Sequence, residues 1–501
     1  MSFASQLPVL PIVIPLIAAP IAILLPKGRA PWAFATLVAW AVFAACLALL
    51  HNVAAHGVIS YALGDWAPPI GIEYRIDLAN AIVLTLVSGI AALVFPFSFE
   101  SVSKEIDPRQ ASNFYGALLI CFTGLLGVTI TGDAFNVFVF LEISSLSTYA
   151  LIALGARSDR RALTASFNYL IMGTIGATFF VIGIGLLYQA TGTLNMADLR
   201  TLLSGQDNRV VQAGFAFILV GVGLKLAMFP MHLWLPNAYT YAPSVVSAFI
   251  AATATKVAVY VLVRFIYTVF GLDFSFMQAA FAYVLLPLGV IGMFAASIVA
   301  VFQEDVKRLL AYSSVGQIGY ILLGLGVGTE AGLAASLVHV VNHGLMKGAL
   351  FMAVACVVYR LGSSNCGAFD GLARRMPFTA AAFIFSGLSL VGVPLTVGFI
   401  SKWYLLSATF DAGYAWAAFL VVASSLVAVV YVGRIVELIL LKPVPEEGPF
   451  AGDIKEAPLS MLIPMWLLVA ANIYFGVRTE FTASIAEQAA AALAAVAGGA
   501  P

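Results

Sequence analysis

Residues 221–256 read GVGLKLAMFPMHLWLPNAYTYAPSVVSAFIAATATK. The stretch opens as an apolar helix with a single charge, Lys225. Five residues on comes Pro230, then a polar and aromatic segment with His232 and Pro236, and after Pro243 a second apolar helix carrying Lys256. A lysine inside a helix of membrane-spanning length costs about 3 kcal/mol on insertion scales, and such residues face a bundle interior and mark ion or proton paths. A proline within the span frees a backbone carbonyl, which is tolerated only against protein or water. Two buried lysines flanking a broken helix are what the rest of the chain has to accommodate.

Composition agrees. Of 501 residues 62% are hydrophobic and 10% charged, against about 25% charged in soluble domains, so the fold class is an all-α polytopic membrane protein. A net charge of zero gives no reason to expect nucleic acid as a partner. Cys46, Cys121, Cys356 and Cys366 have no metal-ligand spacing and three lie in apolar segments, where cysteine packs as a small hydrophobe. The first apolar run, Leu7 to Pro26, has no basic segment before it and reads as the first span rather than a cleaved signal.

A span needs about 20 apolar residues, and fourteen segments qualify: 7–26, 31–50, 77–98, 112–131, 134–154, 163–190, 210–230, 243–268, 278–302, 307–327, 331–359, 378–410, 414–441 and 459–476. Three are long, 163–190, 331–359 and 378–410, and can tilt, extend past the bilayer or be interrupted. Lys and Arg concentrate on one side: 14 follow odd-numbered spans and 4 follow even-numbered ones. The positive-inside rule then puts the odd-to-even loops in the cytoplasm and both termini outside. The twelfth span, GLSLVGVPLTVGFISKWYLL, is broken near Gly392, Pro394 and Gly398 and carries Lys402, repeating the device of the seventh. Two interrupted helices in corresponding positions indicate two inverted five-helix repeats, spans 4–8 and 9–13. The chain divides as 1–110 (three helices and an external loop), 111–270 and 271–442 (the repeats) and 443–501 (span 14 and tail). The loop YALGDWAPPIGIEYRID before span 3 has hairpin chemistry; residues 480–501, rich in alanine, can form a surface helix or stay disordered.

Further ionisable groups sit inside the spans. Glu142 lies nine residues past Asp133, about 13 Å along the helix, and Asp133 reads as the N-cap. Glu142 is a natural partner for Lys225; moving the carboxylate would switch the lysine between holding and releasing a proton. The plain alternatives are a carboxylate satisfied by hydroxyls and a static ion pair, itself a weak stabiliser. Lys256 lies too deep to snorkel. In SLVHVVNHGLMKGALFMAVA, His339, His343 and Lys347 share one helix face at i, i+4 and i+8. A metal would need a third ligand that is not evident, so proton relay is the better joint reading, with imidazole passing a proton between its nitrogens. His232 either opens a half-channel or sits at the membrane edge. The charges of QEDVKRLLAYSSVGQIGY read as an interfacial anchor, and Arg434 with Glu437 as a pair within one helix.

These segments together resemble the D-type subunit of Mrp multisubunit Na+/H+ antiporters, part of the larger family of antiporter-like subunits of respiratory complex I and membrane-bound hydrogenases. The resemblance covers nearly the whole chain and rests on TGDAFNVFVFLEISSLSTYALIA, GLKLAMFPMHLWLPNAY, ATATK, EDVKRLLAYSSVGQIGY, HVVNHGLMKGALF and VGVPLTVGFISKW, in that order. GDWAPPIGIEYRID is similar to the D-type version of the external loop. The resemblance implies a coupled pair at Glu142 and Lys225, then Lys256, then His339 and His343, then Lys402; the residues themselves add His232, Lys347 and Asp133 as candidate accessories. Some members carry glutamate where Lys402 stands; lysine leans toward the D-type antiporter subunit or the N-type complex I subunit. The expected function is a proton-translocating subunit of a multisubunit cation/H+ antiporter in a bacterial-type plasma membrane, transporting H+ and Na+ beside partner subunits, without enzymatic activity. The rival is a proton-pumping subunit of a complex I-like or hydrogenase complex. No cofactor and no metal is expected: no flavin, iron–sulfur or nucleotide motif is present, so redox chemistry would belong to partners. No cluster of oxygen ligands favours a sodium site in the spans.

Overall fold

The computed structural model describes residues 6–452 and 454–498. Its spans are α1 (Leu10–Leu24), α2 (Arg29–His56), α3 (Leu78–Glu105), α4 (Ala111–Ile130), α5 (Ala134–Ala153), α6 (Arg161–Thr191), α7a and α7b (Arg209–Lys225 and Trp234–Tyr241) and α8 (Ser244–Arg264). There follow α9 (Ser275–Val301), α10 (Val306–Gly326), α11 (Glu330–Leu361), α12a and α12b (Pro377–Val391 and Val397–Asp411), α13 (Ala415–Leu440) and α14 (Leu459–Val477). Eleven of these are long and apolar enough to cross a membrane. The other three spans are α1, only 15 residues long, and the two broken helices.

Hydropathy alone leaves the long segments open; the structure separates them. α6 and α11 are continuous helices of 31 and 32 residues. The twelfth span is interrupted at 392–396, where Gly392 and Leu395 take positive φ, and the seventh at 226–233, where Ala227 does.

The two repeats share a hydrogen-bonded clip. Between α4 and α5, Ala134 N donates to Leu194 O at 2.8 Å and Met196 N to Gly132 O at 2.9 Å. Between α9 and α10, Val306 N donates to Ser364 O and Cys366 N to Glu304 O, both at 2.8 Å. In each repeat an aspartate caps the following helix: Asp133 accepts from Asn136 N at 2.7 Å and Asp305 from Arg308 N at 3.0 Å. In each the long helix ends on a left-handed glycine, Gly192 or Gly362, the residue that takes this C-cap conformation without a Cβ penalty. An odd number of spans, five, separates the clips, so they lie on opposite membrane faces.

α8 and α10 are buried almost all round and α11 largely so; these three carry Lys256, Lys307, His339, His343 and Lys347 into the interior. α2, α6 and α13 keep an exposed apolar face. The loop before α3 forms the hairpin β1 (Ile59–Ala62) and β2 (Glu73–Ile76), antiparallel, with Ile59 opposite Ile76. It docks over the start of α5: Gly132 N donates to Glu73 O, and Asn195 Nδ2 to Glu73 Oε2, both at 2.8 Å. The alanine-rich tail forms α15 (Glu480–Ala497), which buries Ala483, Ala486, Ala490 and Leu493. Arg200 Nη2 donates to Ala497 O at 2.7 Å and holds the end of this helix. Residues 499–501 lie outside the described range.

Candidate functional site

α7a ends at Lys225. Its ammonium lies 3.2 Å from Glu142 Oε1 on α5 and donates to Ser145 Oγ at 2.7 Å. Ser145 lies three residues past Glu142, so one face of α5 supplies both partners. The ammonium also sits at the negative end of the half-helix dipole. Among the carbonyls freed by the break, Leu224 O accepts from Trp234 Nε1 at 2.9 Å. Trp234 stacks flat on Tyr169 of α6, ring centroids 4.1 Å apart. The break is thus braced on both sides.

α12 repeats the arrangement with the lysine on the far side of the gap. Lys402, on α12b, donates to Val391 O at 2.7 Å and Leu390 O at 3.2 Å, the last two carbonyls of α12a. The same ammonium lies 5.1 Å from the Tyr320 ring centroid on α10, a cation–π distance. Tyr320 in turn lies 5.7 Å from the His339 ring. His339 Nδ1 is 2.9 Å from Ser401 Oγ, next to Lys402, and His343 lies 6.0 Å from His339, rings nearly parallel. Asn342 Nδ2 ties α11 to the break by donating to Val397 O at 2.8 Å.

Lys256 is buried on α8 and donates to Ala251 O at 2.5 Å, a carbonyl of its own helix. Its helix packs along α11, which carries His343 and Lys347. Lys347 turns to α10, donating to Leu310 O at 2.8 Å and to Ser313 Oγ. His232 is buried in the α7 break, stacked on Phe229 at 5.2 Å and facing Tyr312 at 6.3 Å. Of the sequence-selected residues, the structure joins Glu142 and Lys225 in a contact pair and gathers His343, His339 and Lys402 in a cluster around Tyr320, with Lys256 between them in chain order and hydrogen-bonded to neither.

Sequence reading missed Ser145, Ser401 and Tyr320, whose types are ordinary in apolar helices. It also missed a second buried ion pair. Arg264 at the end of α8 grips the α3 cap Asp77 with two bonds, of 2.7 and 2.8 Å, and donates to Tyr260 Oη at 3.0 Å. An arginine left over in a span was the available signal. One reading is corrected. Arg434 forms no pair with Glu437; it donates to Val301 O and Gln303 O at 2.7 and 3.0 Å, carbonyls at the end of α9. Lys307, in the segment read as an interfacial anchor, is buried and donates to Ala242 O at 3.1 Å.

Two recesses flank the row. One, of 470 Å³, lies on the basic-loop face and is lined by Glu105, Asp159, Arg161, Asp305 and Lys307. The other, of 580 Å³, lies on the opposite face, lined by Glu330, Asp411, Glu487 and by Trp403 and Tyr404, the neighbours of Lys402.

Comparison with known proteins gives this arrangement its setting. Residues 131–428 match the family described as NADH:quinone oxidoreductase/Mrp antiporter, TM. The chain is 42% identical over 498 residues to the N-type subunit of the NADH-quinone oxidoreductase of Desulforudis audaxviator (strain MP104C), covering 95% of this chain and 96% of that one. It is 30% identical over 498 residues to the D-type subunit of the Na(+)/H(+) antiporter of Bacillus subtilis (strain 168), covering 97% and 96%. Among solved structures, a chain of the Mrp complex from Dietzia sp. DQ12-45-1b superposes with a TM-score of 0.90 at 26% identity, over 99% of this chain and 98% of that one. A chain of the membrane-bound sulfane sulfur reductase, an archaeal respiratory membrane complex, superposes with a TM-score of 0.89 at 31% identity, over 98% and 99%. The chain therefore belongs to the NADH:quinone oxidoreductase/Mrp antiporter transmembrane family, as an antiporter-like subunit of the kind shared by Mrp and complex I-like complexes.

Proposed function

We propose that this chain is the proton-translocating subunit of a multisubunit monovalent cation (Na+)/H+ antiporter. The carrying observation is the Lys225–Glu142 contact of 3.2 Å at the end of a broken buried helix. A lysine poised between a carboxylate, a hydroxyl and a helix terminus changes its hold on a proton when the carboxylate moves. From that pair the path runs through Lys256 and His343/His339 to Lys402. The side chains do not form one unbroken contact chain, and water bridges the gaps. In support, His339 Nε2, both His343 nitrogens and Asn342 Oδ1 are buried with no protein hydrogen-bond partner, and buried polar groups need a partner. Lys347, His232 and the two recesses give the row access to the two faces. The termini face outward in a bacterial-type plasma membrane, with the basic loops in the cytoplasm.

Glu142 supports the multisubunit setting. Its side chain is 23% exposed, nine residues into a span, and a carboxylate facing hydrocarbon is costly. A partner subunit covers this face.

The 42% identity to the N-type subunit of an NADH-quinone oxidoreductase favours a second reading, in which the same path is driven by an electron-transfer partner. One experiment separates them. In inverted vesicles carrying the chain with its native partners, antiport predicts sodium-induced collapse of an imposed proton gradient, lost in Lys225→Ala. Proton pumping on addition of an electron donor, with no sodium response, selects the second reading. Normal transport in the assembled Lys225→Ala complex refutes the path in either.

A further inference from the structure

Far from the lysine row, the loop after α1 and the adjoining ends of α2, α3 and α4 line an open groove of 460 Å³ on the basic-loop face. Its floor is apolar, built from Phe99, Val102 and Tyr115, and its rim carries Lys27, Arg29 and Arg109. All three basic side chains belong to exposed residues, and none takes part in an ion pair among the described residues. The nearby acids are engaged elsewhere. Glu105 accepts from Ser101 Oγ and from Ser244 N and Oγ, Glu100 from Tyr359 Oη, and Asp107 from Arg109 N as a cap. The site is therefore a groove with three basic side chains that make no ion pair among the described residues.

The surroundings suit an amphiphile. Arg29 lies over the Phe99 ring at 5.4 Å. Trp32, 5.1 Å from the same ring, donates its indole N–H to Phe95 O at 3.0 Å, an arrangement fitting the membrane interface, where tryptophan concentrates. From the groove an apolar stripe runs along α1 toward the bilayer centre through exposed Leu24, Ile21 and Ile17, spaced for one helix face. One helix begins at the rim without a side-chain cap, α2 after Gly28, so its positive dipole end adds to the field of the basic residues.

We infer that this groove binds an anionic phospholipid of the leaflet on the basic-loop side, its phosphodiester held by Lys27, Arg29 and Arg109 and its acyl chains lying along α1. Basic pockets between spans on the cytoplasmic side are suited to such headgroups. A soluble anion would find the charges but leave the apolar floor and stripe uncovered.

The test measures binding of fluorescent phosphatidylglycerol and phosphatidylcholine to the purified full chain in its complex, in neutral detergent. The wild type should prefer the anionic lipid. The triple variant Lys27→Gln/Arg29→Gln/Arg109→Gln should lower that preference at least about tenfold, the scale expected when three basic side chains leave an anionic surface. The charge-preserving triple Lys27→Arg/Arg29→Lys/Arg109→Lys should keep it, as should Arg374→Gln/Lys442→Gln elsewhere on the same face. An unchanged preference in the glutamine triple overturns the proposal. So does equal loss in either control, or full displacement of the lipid by inorganic phosphate alone.

Discussion

The ammonium of Lys225 has three stabilising neighbours, and they are unequal. Glu142 supplies a full opposite charge, Ser145 a hydroxyl that accepts from the ammonium, and the α7a terminus a partial charge felt only in the last turn. Proton release is assigned to the carboxylate and positioning to the hydroxyl. Glu142→Gln should therefore stop coupled transport in an assembled complex. Ser145→Ala, losing one bond to a charged group of about 1.5–3 kcal/mol, should slow it about ten- to a hundredfold without stopping it. Vesicle transport rates for the two variants check this ranking; equal losses would show that geometry rather than charge governs the site. Ionisable residues such as Glu142, Lys225, Lys256 and Lys402 are legible in the sequence because each violates the hydropathy of its span. Ser145, Ser401 and Tyr320 violate nothing. Only the folded packing of α5 on α7, and of α10 and α11 on α12, gives them roles.

At the scale of elements, the same device appears twice with its parts exchanged. In α7 the lysine ends the first half-helix and a tryptophan from the second satisfies a freed carbonyl; in α12 the lysine of the second half satisfies the carbonyls itself. Glycines set how closely the halves approach. A Cβ on Gly398 at the start of α12b would collide with Ser389 O of α12a, whereas one on Gly185 of α6 meets nothing within 4 Å. Gly398→Ala should therefore force α12 apart, costing about 1–3 kcal/mol, and impair transport. Gly185→Ala should be neutral or stabilising by up to about 1 kcal/mol. Thermal unfolding with transport assays on both variants gives the comparison; an unaffected Gly398→Ala would mean that the break is not tightly packed. The breaks are legible from Pro230, Pro394 and the glycines around them. The inverted clip is not, although its marks are present: an aspartate cap, then a terminal glycine and an asparagine about 60 residues on, at Asp133, Gly192, Asn195 and again at Asp305, Gly362, Asn365. The rest of the two repeats has diverged too far for so sparse a pattern to stand out before the hydrogen bonds are seen. The unbroken course of α6 and α11 is likewise open in the sequence, because hydropathy cannot separate a long helix from two short ones.

Over the whole molecule, polar and charged groups of α5, α7, α8, α10, α11 and α12 occupy the interior while apolar faces of α2, α6 and α13 look outward. The central claim is that the polar groups act as one path crossing both repeats rather than as two independent sites. Glu142 and Lys225 belong to the first repeat, Lys402 to the second, and Lys256 with the α11 histidines lies between. Independent sites would tolerate the loss of one end; a single path would not. The most direct measurement is the rate of coupled proton movement in inverted vesicles for Lys225→Ala and Lys402→Ala, each in a complex shown to assemble normally. A single path predicts that both variants fall to the background rate. Wild-type transport in Lys402→Ala, with transport abolished in Lys225→Ala, would contradict a path that runs through both.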